Sequence, residues 1–403
     1  MLFRILSLAI SFALFCCNLA EAIEPEKISL KEAIARGLEK NNQIKSARFQ
    51  ADSAKSAAAA ASLHYLPSIS FEEAWTRSDV PVNTFMMKLN QGRFTNQDFD
   101  ASRLNNPSAV GDFRTAFTVE MPIVIPEAWA GQRVARRGAE HQEAVSSQVR
   151  EQISYRIFQF YLDVQRSHAA LRVAGKALEE ARESRRQAAV RTAAGLGLKS
   201  DELRAATHMS AMEQNMISAS NNLAISRMRL AMMTGSEEGA EVDALELPQL
   251  KEPEGTLAGF VEAARRERKD LGAAEKASEM AEAELLKARS RFLPTVGAFG
   301  SWQMNDRDAP FSRDHDSWTA GVALRWNIFD GFRDFHGTAK ARSSRAAAVE
   351  ALEQARREVS LQVNEAWLRR IEAKKRVEVA AASVVAAEEA VRLLTRRFEN
   401  SLA

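Results

Sequence analysis

The chain sets out one structural plan twice, and that repetition limits its possible folds more than any local signal does. Ser29-Leu30-Lys31-Glu32-Ala33-Ile34 is echoed by Thr256-Leu257-Ala258-Gly259-Phe260-Val261, and Leu66-Pro67 by Leu293-Pro294 at the same offset. Each copy runs from helix into strand-like sequence and then into a long Ala-rich helix. The first copy continues through a turn into a further helix. The second stops where that turn is expected, which reads as a truncated gene product or a fragment.

The first 22 residues read as a secretory signal. Arg4 supplies a short basic region, residues 6–15 an apolar stretch, and Ala20-Glu21-Ala22 a small-residue cleavage site. A membrane anchor is the competing reading, but the apolar run is shorter than the roughly 20 residues a span needs. Both cysteines, Cys16 and Cys17, lie inside this segment, and bulky Leu14-Phe15 ahead of them argues against lipidation. The mature chain is therefore exported without being a disulfide scaffold. Lys and Arg (55) nearly balance Asp and Glu (53) and are interleaved with them, which argues against nucleic acid as a partner.

Residues 28–63 read as helical, with Leu30, Ile34 and Leu38 near helical spacing. Ser29 is a candidate cap, with Glu32 placed for a capping box. Leu66-Pro67 ends the helix. Residues 68–77 read as a strand and 78–112 as a long structureless loop, which calls for a functional reason. Residues 113–121 alternate, with Phe113, Phe117, Val119 and Met121 on one face and Arg114, Thr118 and Glu120 on the other. Pro126 opens a helix that extends to about residue 194, roughly 100 Å at 1.5 Å per residue. Gly195-Leu196-Gly197 breaks it, and Ser200 is placed to cap the next helix, 201–234. The second half repeats the plan with helix 256–291, strands 295–303 and 318–328, an Asp330-Gly331 turn and a long helix 333–398. Ile157 and Tyr161 correspond to Val363 and Trp367. The domain plan is thus a signal at 1–22, a first repeat at 23–235, an acidic connector at 236–255 and a second repeat at 256–403.

Four strands are too few to close a barrel, since even the smallest outer-membrane barrels have about eight. An open edge is not tolerated in lipid. The sequence therefore asks for assembly; three chains sharing one twelve-stranded barrel would meet the need, although the residues do not fix that number. A long solvent-exposed coiled coil, as in a periplasmic adaptor or a rod, is the competing reading. It explains the strand pairs poorly.

These positions together resemble the TolC family of outer-membrane efflux and secretion proteins, over the whole mature chain. Ser29 to Ile34 with Asn41 resembles the family's opening helix, and Leu66-Pro67 and Leu293-Pro294 its helix-to-strand junctions. Residues 322–331, ending in Asp330-Gly331, resemble its strand-end signature, and Phe117 to Pro122 and Ile123 the first-half version. Arg191 to Gly195-Leu196, and Arg397 to Ser401-Leu402, resemble the paired turns at the periplasmic end. The chain departs from the family at Thr192-Ala193, where an aromatic is usual, at Ser401, where glycine is usual, and in lacking a final helix.

The resemblance implies a fold of long α-helical barrel continuous with a 12-stranded β-barrel shared by a homotrimer, four strands per chain. It implies a passive outer-membrane exit duct for efflux or type I secretion, crossing outer membrane and periplasm. Partners would be a periplasmic adaptor, an inner-membrane pump or secretion ATPase, and outer-membrane lipid. The alternative is a periplasmic coiled-coil adaptor or structural protein without a membrane barrel. Arg114 and Arg325 are candidates for a lumen-facing position, where charge tunes which solutes pass.

No nucleophile, acid–base pair or cofactor motif stands out, so no enzyme is expected. His64, His141, His168, His208, His315 and His336 show no metal-ligand spacing and read as polar surface residues. Asp306, Asp308, Asp314 and Asp316 cluster without an EF-hand pattern and read as a solvated loop. Trp75, Trp302, Trp318 and Trp326 lie in or beside strands, where aromatics suit a membrane-interface girdle.

Overall fold

The computed structural model describes residues 25–237, 239–247, 252–312 and 315–399. The expected signal segment, Asp314, Ser401 and Leu402 lie outside them. In chain order the elements are β1 (Glu26–Ile28), α1 (Leu30–Lys40), α2 (Asn42–Ser62), β2 (Ser68–Ser78), α3 (Pro81–Asn90), α4 (Ala101–Asn105), β3 (Val110–Val124), α5 (Pro126–Ala193), α6 (Lys199–Thr234) and β4 (Val242–Ala244). The second half holds α7 (Leu257–Glu267), α8 (Lys269–Ser290), β5 (Thr295–Asp306), β6 (Asp316–Arg325) and α9 (Arg333–Glu399). They group into two compact units, divided within α2 after Phe49, within α5 after Ala144, and after Gly255.

The first unit is built on α5. Ile153, Ile157, Tyr161 and Val164 recur at helical spacing and are buried, facing Leu223 and Leu230 of α6, Ile28 of β1 and Val242 of β4. Gly37 of α1 allows this approach, since a β-carbon there would lie 2.2 Å from Ile157 Cδ1. The Tyr161 hydroxyl donates to the carbonyls of Ile28 (3.1 Å) and Leu245 (2.7 Å). It thereby fixes a parallel β1–β4 pair that the sequence gives no hint of. Three-residue strands carry no readable alternation.

Ser29 caps α1 by accepting from the Glu32 N–H at 3.2 Å, and Thr256 caps α7 in the same way from Gly259. The capping box is not completed, because the Glu32 carboxylate pairs with Arg36 instead. Both expected first helices are broken at repeat-equivalent residues, Asn41 and Arg268, each in an extended conformation. Asn41 is buried there, donating its amide to the Met233 carbonyl and accepting from the Gln43 N–H. The cap of α6 is Leu198 rather than Ser200.

The second unit carries an antiparallel sheet in the order β2-β3-β5-β6. Beside it, α9 packs on α7 and α8. Trp367 meets Phe260 at 5.8 Å between ring centroids. The loop after β2 is not structureless. Pro81 opens α3, a 3-10 turn spans Asn96–Phe99, and Phe85, Phe94 and Phe99 pack edge to face.

The sheet corrects the expected fold class. Among the described residues it has four strands and two open edges, β2 and β6, and no closed or membrane-spanning barrel is present. No helix of the described residues is long and apolar enough to cross a membrane. Passage across a membrane needs a closed wall. The reading of the chain as an exit duct performing transmembrane transport is corrected with the barrel, and the arrangement fits better the alternative, a periplasmic helical protein without a membrane barrel.

Gly235 ends α6 at φ +72°, with the Lys40 backbone carbon 3.0 Å from where a β-carbon would stand. Gly235→Ala is expected to lower stability by about 2 kcal/mol, from the left-handed penalty plus this contact. Urea denaturation of the full chain measures it, and an unchanged midpoint would contradict the packing described.

Candidate functional site

The register of the sheet sorts its side chains onto two faces. Phe71–Phe117–Trp302–Trp318 forms one row across all four strands, with Ile69–Val119 and Ala298–Val322 in rows alongside. Phe117 stacks on Trp302 at 6.0 Å. This face is mostly apolar yet exposed, with Trp318 and Val322 77% and 69% accessible, and its next row, Glu73–Thr115–Met304–Asp316, brings a carboxylate to each edge. So broad an exposed apolar surface marks a contact site. The opposite face carries Ser70–Thr118–Ser301–Thr319 as its central row, with Thr118 and Ser301 hydroxyls 3.2 Å apart.

Arg114 and Arg325 both fall on this polar face, as β3 pairs Arg114 with Asn305 and β5 pairs Thr295 with Arg325. They are not brought together. Arg114 lies 3.7 Å from the Glu72 carboxylate, whereas the Arg325 guanidinium has no partner among the described residues. The Glu120 carboxylate, also on this face, has none either. Where the sheet meets the helices, a concavity of about 670 Å³ opens. It is lined by His64, Glu120, Phe299 and Arg325 among others.

The predicted junctions and turns take the following places. Leu66 and Leu293 end their helices with N–H bonds to Leu63 and Ser290, and both stay exposed ahead of Pro67 and Pro294. Pro122 sits at an irregularity in the β3–β5 register. Asp330 caps α9, its carboxylate accepting from the Asp334 N–H at 2.8 Å, and Gly331 takes φ +73°. Gly195 takes φ +69° at the end of α5, where the Leu196 N–H reaches back to the Arg191 carbonyl at 2.9 Å. Leu196 at this tip is 77% exposed.

Two features escaped the sequence. His315 is exposed, as expected, but its ring lies over Gly92, which takes φ +58°. His168 lies 2.6 Å from Asp243 of β4, which Arg227 of α6 also holds at 2.7 Å. Asp243 is almost fully buried. Burial opposes its ionisation, but the hydrogen bonds from His168, Arg227 and the Ala244 N–H outweigh that and hold the carboxyl below the usual range. The Arg227 Nε is buried with no hydrogen-bond partner, so the guanidinium depends on Asp243 and on Glu241, 3.5 Å away. A lone aspartate between Val242 and Ala244 is the only sequence signal, and it points to no partner.

Asp243→Asn leaves Arg227 with only the longer pair to Glu241, at 3.5 Å, and is expected to cost about 2 kcal/mol. Because folding lowers the Asp243 pKa, its contribution is full above the unfolded-state value and is lost as pH falls through the lower folded-state value. Acid titration of stability should show that loss in the parent chain and a correspondingly shallower decline in the variant. Parallel curves would remove Asp243 from the account.

A family model described as "Outer membrane efflux protein" matches residues 33–236 and 260–400. Comparison with curated protein sequences gives no match. Among solved structures, the outer membrane protein VceC from Vibrio cholerae is 18% identical with a TM-score of 0.75, covering 93% of this chain and 86% of that one. The open state of the MtrE outer membrane channel from Neisseria gonorrhoeae is 17% identical, TM-score 0.73, covering 92% and 79%. The CmeC outer membrane channel from Campylobacter jejuni is 16% identical, TM-score 0.69, covering 81% and 67%. At such identities the likeness is one of fold.

Proposed function

The chain belongs to the outer membrane efflux protein family, and on that premise we propose that it is a non-catalytic, periplasmic helical module that assembles with copies of itself in an efflux system. Family membership accounts for a general location at the outer membrane and periplasm and for work in an oligomer with other proteins. The solved structures of like fold include channels, and a structural role needs no reactive group.

The observation that carries the reading is the exposed apolar side of α9. Leu361 and Leu368, then Val377 and Val384, stand seven residues apart and are 55–69% accessible. Seven-residue apolar spacing on a long helix is the signature of a seam that packs on another helix. Beyond Asn364 almost every described residue of α9 is exposed, so the described residues leave this seam unfilled. A second copy fills it in this reading, with three copies the number the resemblance implies. The apolar face of the sheet is a second surface for contact with another protein, and the polar face with Arg114 and Arg325 faces water. The exposed tip at Leu196 is the end presented to a periplasmic adaptor and, through it, an inner-membrane pump.

Native mass spectrometry of the detergent-solubilised chain is the test. Oligomers, with trimer predominant, are expected for the parent chain. Val377→Glu with Val384→Glu should shift it to monomer while helical circular dichroism is retained, because the positions are solvent-exposed within one chain. A parent chain that is monomeric at tens of micromolar would sink the proposal.

A further inference from the structure

Where α6 borders the groove it forms with α5, it carries a line of hydrogen-bonding groups with nothing to bond. Asn215, Asn222 and Arg229 stand seven residues apart, so they lie one above another along one side of the helix over about 21 Å. All three are exposed. Among the described residues their side chains take part in no hydrogen bond or ion pair. Arg227, by contrast, is committed to Asp243 and Glu241. Asparagine is a poor helix former, so two exposed asparagines in mid-helix cost stability that no packing within the described residues offsets. No charged residue occurs from Gln214 to Ser226, in a chain of which 27% is charged. The stretch is thus a neutral hydrogen-bonding surface with a cation, Arg229, beyond its end.

The opposite wall of the groove is low. Ala170, Ala174 and Ala177 of α5 line it, and the space between the helices is about 760 Å³. Asp163 and Arg166 also line it but neutralise each other at 3.0 Å, so the uncompensated charge of the groove is Arg229. Shape and charge together fit a slender polar chain that carries carboxylates. Amides both donate and accept, as sugar hydroxyls and acetamido groups require, and a guanidinium takes a carboxylate in a fork. A helix from a second copy fits less well. The Leu and Val seam of α9 would exclude water from the two amides and the guanidinium without pairing them.

We propose that the α5–α6 groove binds a linear acidic glycan, with Asn215 and Asn222 hydrogen-bonding the sugars and Arg229 pairing a carboxylate. The assignment rests on the periplasmic-module reading. Peptidoglycan is a periplasmic polymer of this chemistry, since its amino sugars bear peptides that end in carboxylates. The groove would fasten the module to the wall that it passes through.

Disaccharide-tetrapeptide fragments of peptidoglycan, titrated into the full chain in nonionic detergent and followed by saturation-transfer NMR, test it. Binding is expected to weaken roughly fivefold in Arg229→Gln and roughly tenfold in the double variant Asn215→Ala with Asn222→Ala. A chitin tetrasaccharide, which has the sugars without carboxylates, should bind more weakly than the fragments and equally to parent and Arg229→Gln. The variants keep the fold, since all three positions are exposed and alanine is the better helix former, and unchanged helical circular dichroism verifies this. Equal affinity of parent and Arg229→Gln for the fragments, or no binding by the parent, overturns the site. Equal binding by the free tetrapeptide, which lacks sugars, overturns the glycan assignment. An oligomer that falls apart in the asparagine variant gives the groove to a contact between copies and overturns the site as well. An intact oligomer that binds no fragment overturns the site alone and leaves the module reading standing. A monomer that binds through Arg229 overturns the assembly and leaves the site standing.

Discussion

A helix of 67 residues cannot bury its apolar side against itself. Everything else in this chain answers that constraint. The upper part of α9 meets it with α7 and α8, where Val359 is buried and Trp367 reaches Phe260. The upper part of α5 meets it more fully, because β1, β4, α1 and α6 all converge on Ile157 and Tyr161. Beyond these cores α9 continues largely exposed among the described residues. Its helical backbone is satisfied internally, so the exposed stretch is limited by unburied apolar surface and not by hydrogen bonding.

The two repeats solve the same problem with unequal means. Ile157 and Tyr161 are fully buried, while their counterparts Val363 and Trp367 remain half-exposed. The difference lies in the parallel strand pair and the Asp243–His168–Arg227 group, which belong to the first repeat and the connector. A buried carboxylate between two donors adds little net stability compared with an apolar core, but it is sensitive to loss of either partner. It therefore fixes which residues of the connector lie against α5 and α6.

Periodicity made most of this legible. Pro126 and the uninterrupted pattern behind it mark α5 because proline suits a helix's first turn and nothing breaks the run afterwards. Alternation at residues 113–121 marks β3 and sorts Arg114 and Glu120 onto the polar face, as the register shows. The breaks at Asn41 and Arg268 were hidden because one extended residue does not interrupt the apolar spacing around it. α3 had a signal, since Pro81 precedes Val82, Met86 and Leu89 on one face, but the Asn- and Asp-rich context around it reads as loop. Barrel closure is a different kind of error. Strand number and facing can be read within one chain, whereas closure is a property that four strands do not have.

The charges left on the polar face also constrain what lies beside it. An isolated carboxylate or guanidinium costs little while water reaches it and several kcal/mol once water is excluded. Glu72 and Arg114 neutralise each other, so that stretch of the face tolerates partial cover. Glu120 and Arg325 stand on different strands, several residues apart along the sheet, and cannot pair with each other in this register. Any neighbour that buried this end of the face would have to bring opposite charges to both, whereas on the mostly apolar face opposite the Glu73 and Asp316 carboxylates already accept hydrogen bonds from Thr115 and Trp302. The two sides of one sheet thus demand different surroundings. Water must remain at this end unless a neighbour supplies a partner for both Glu120 and Arg325.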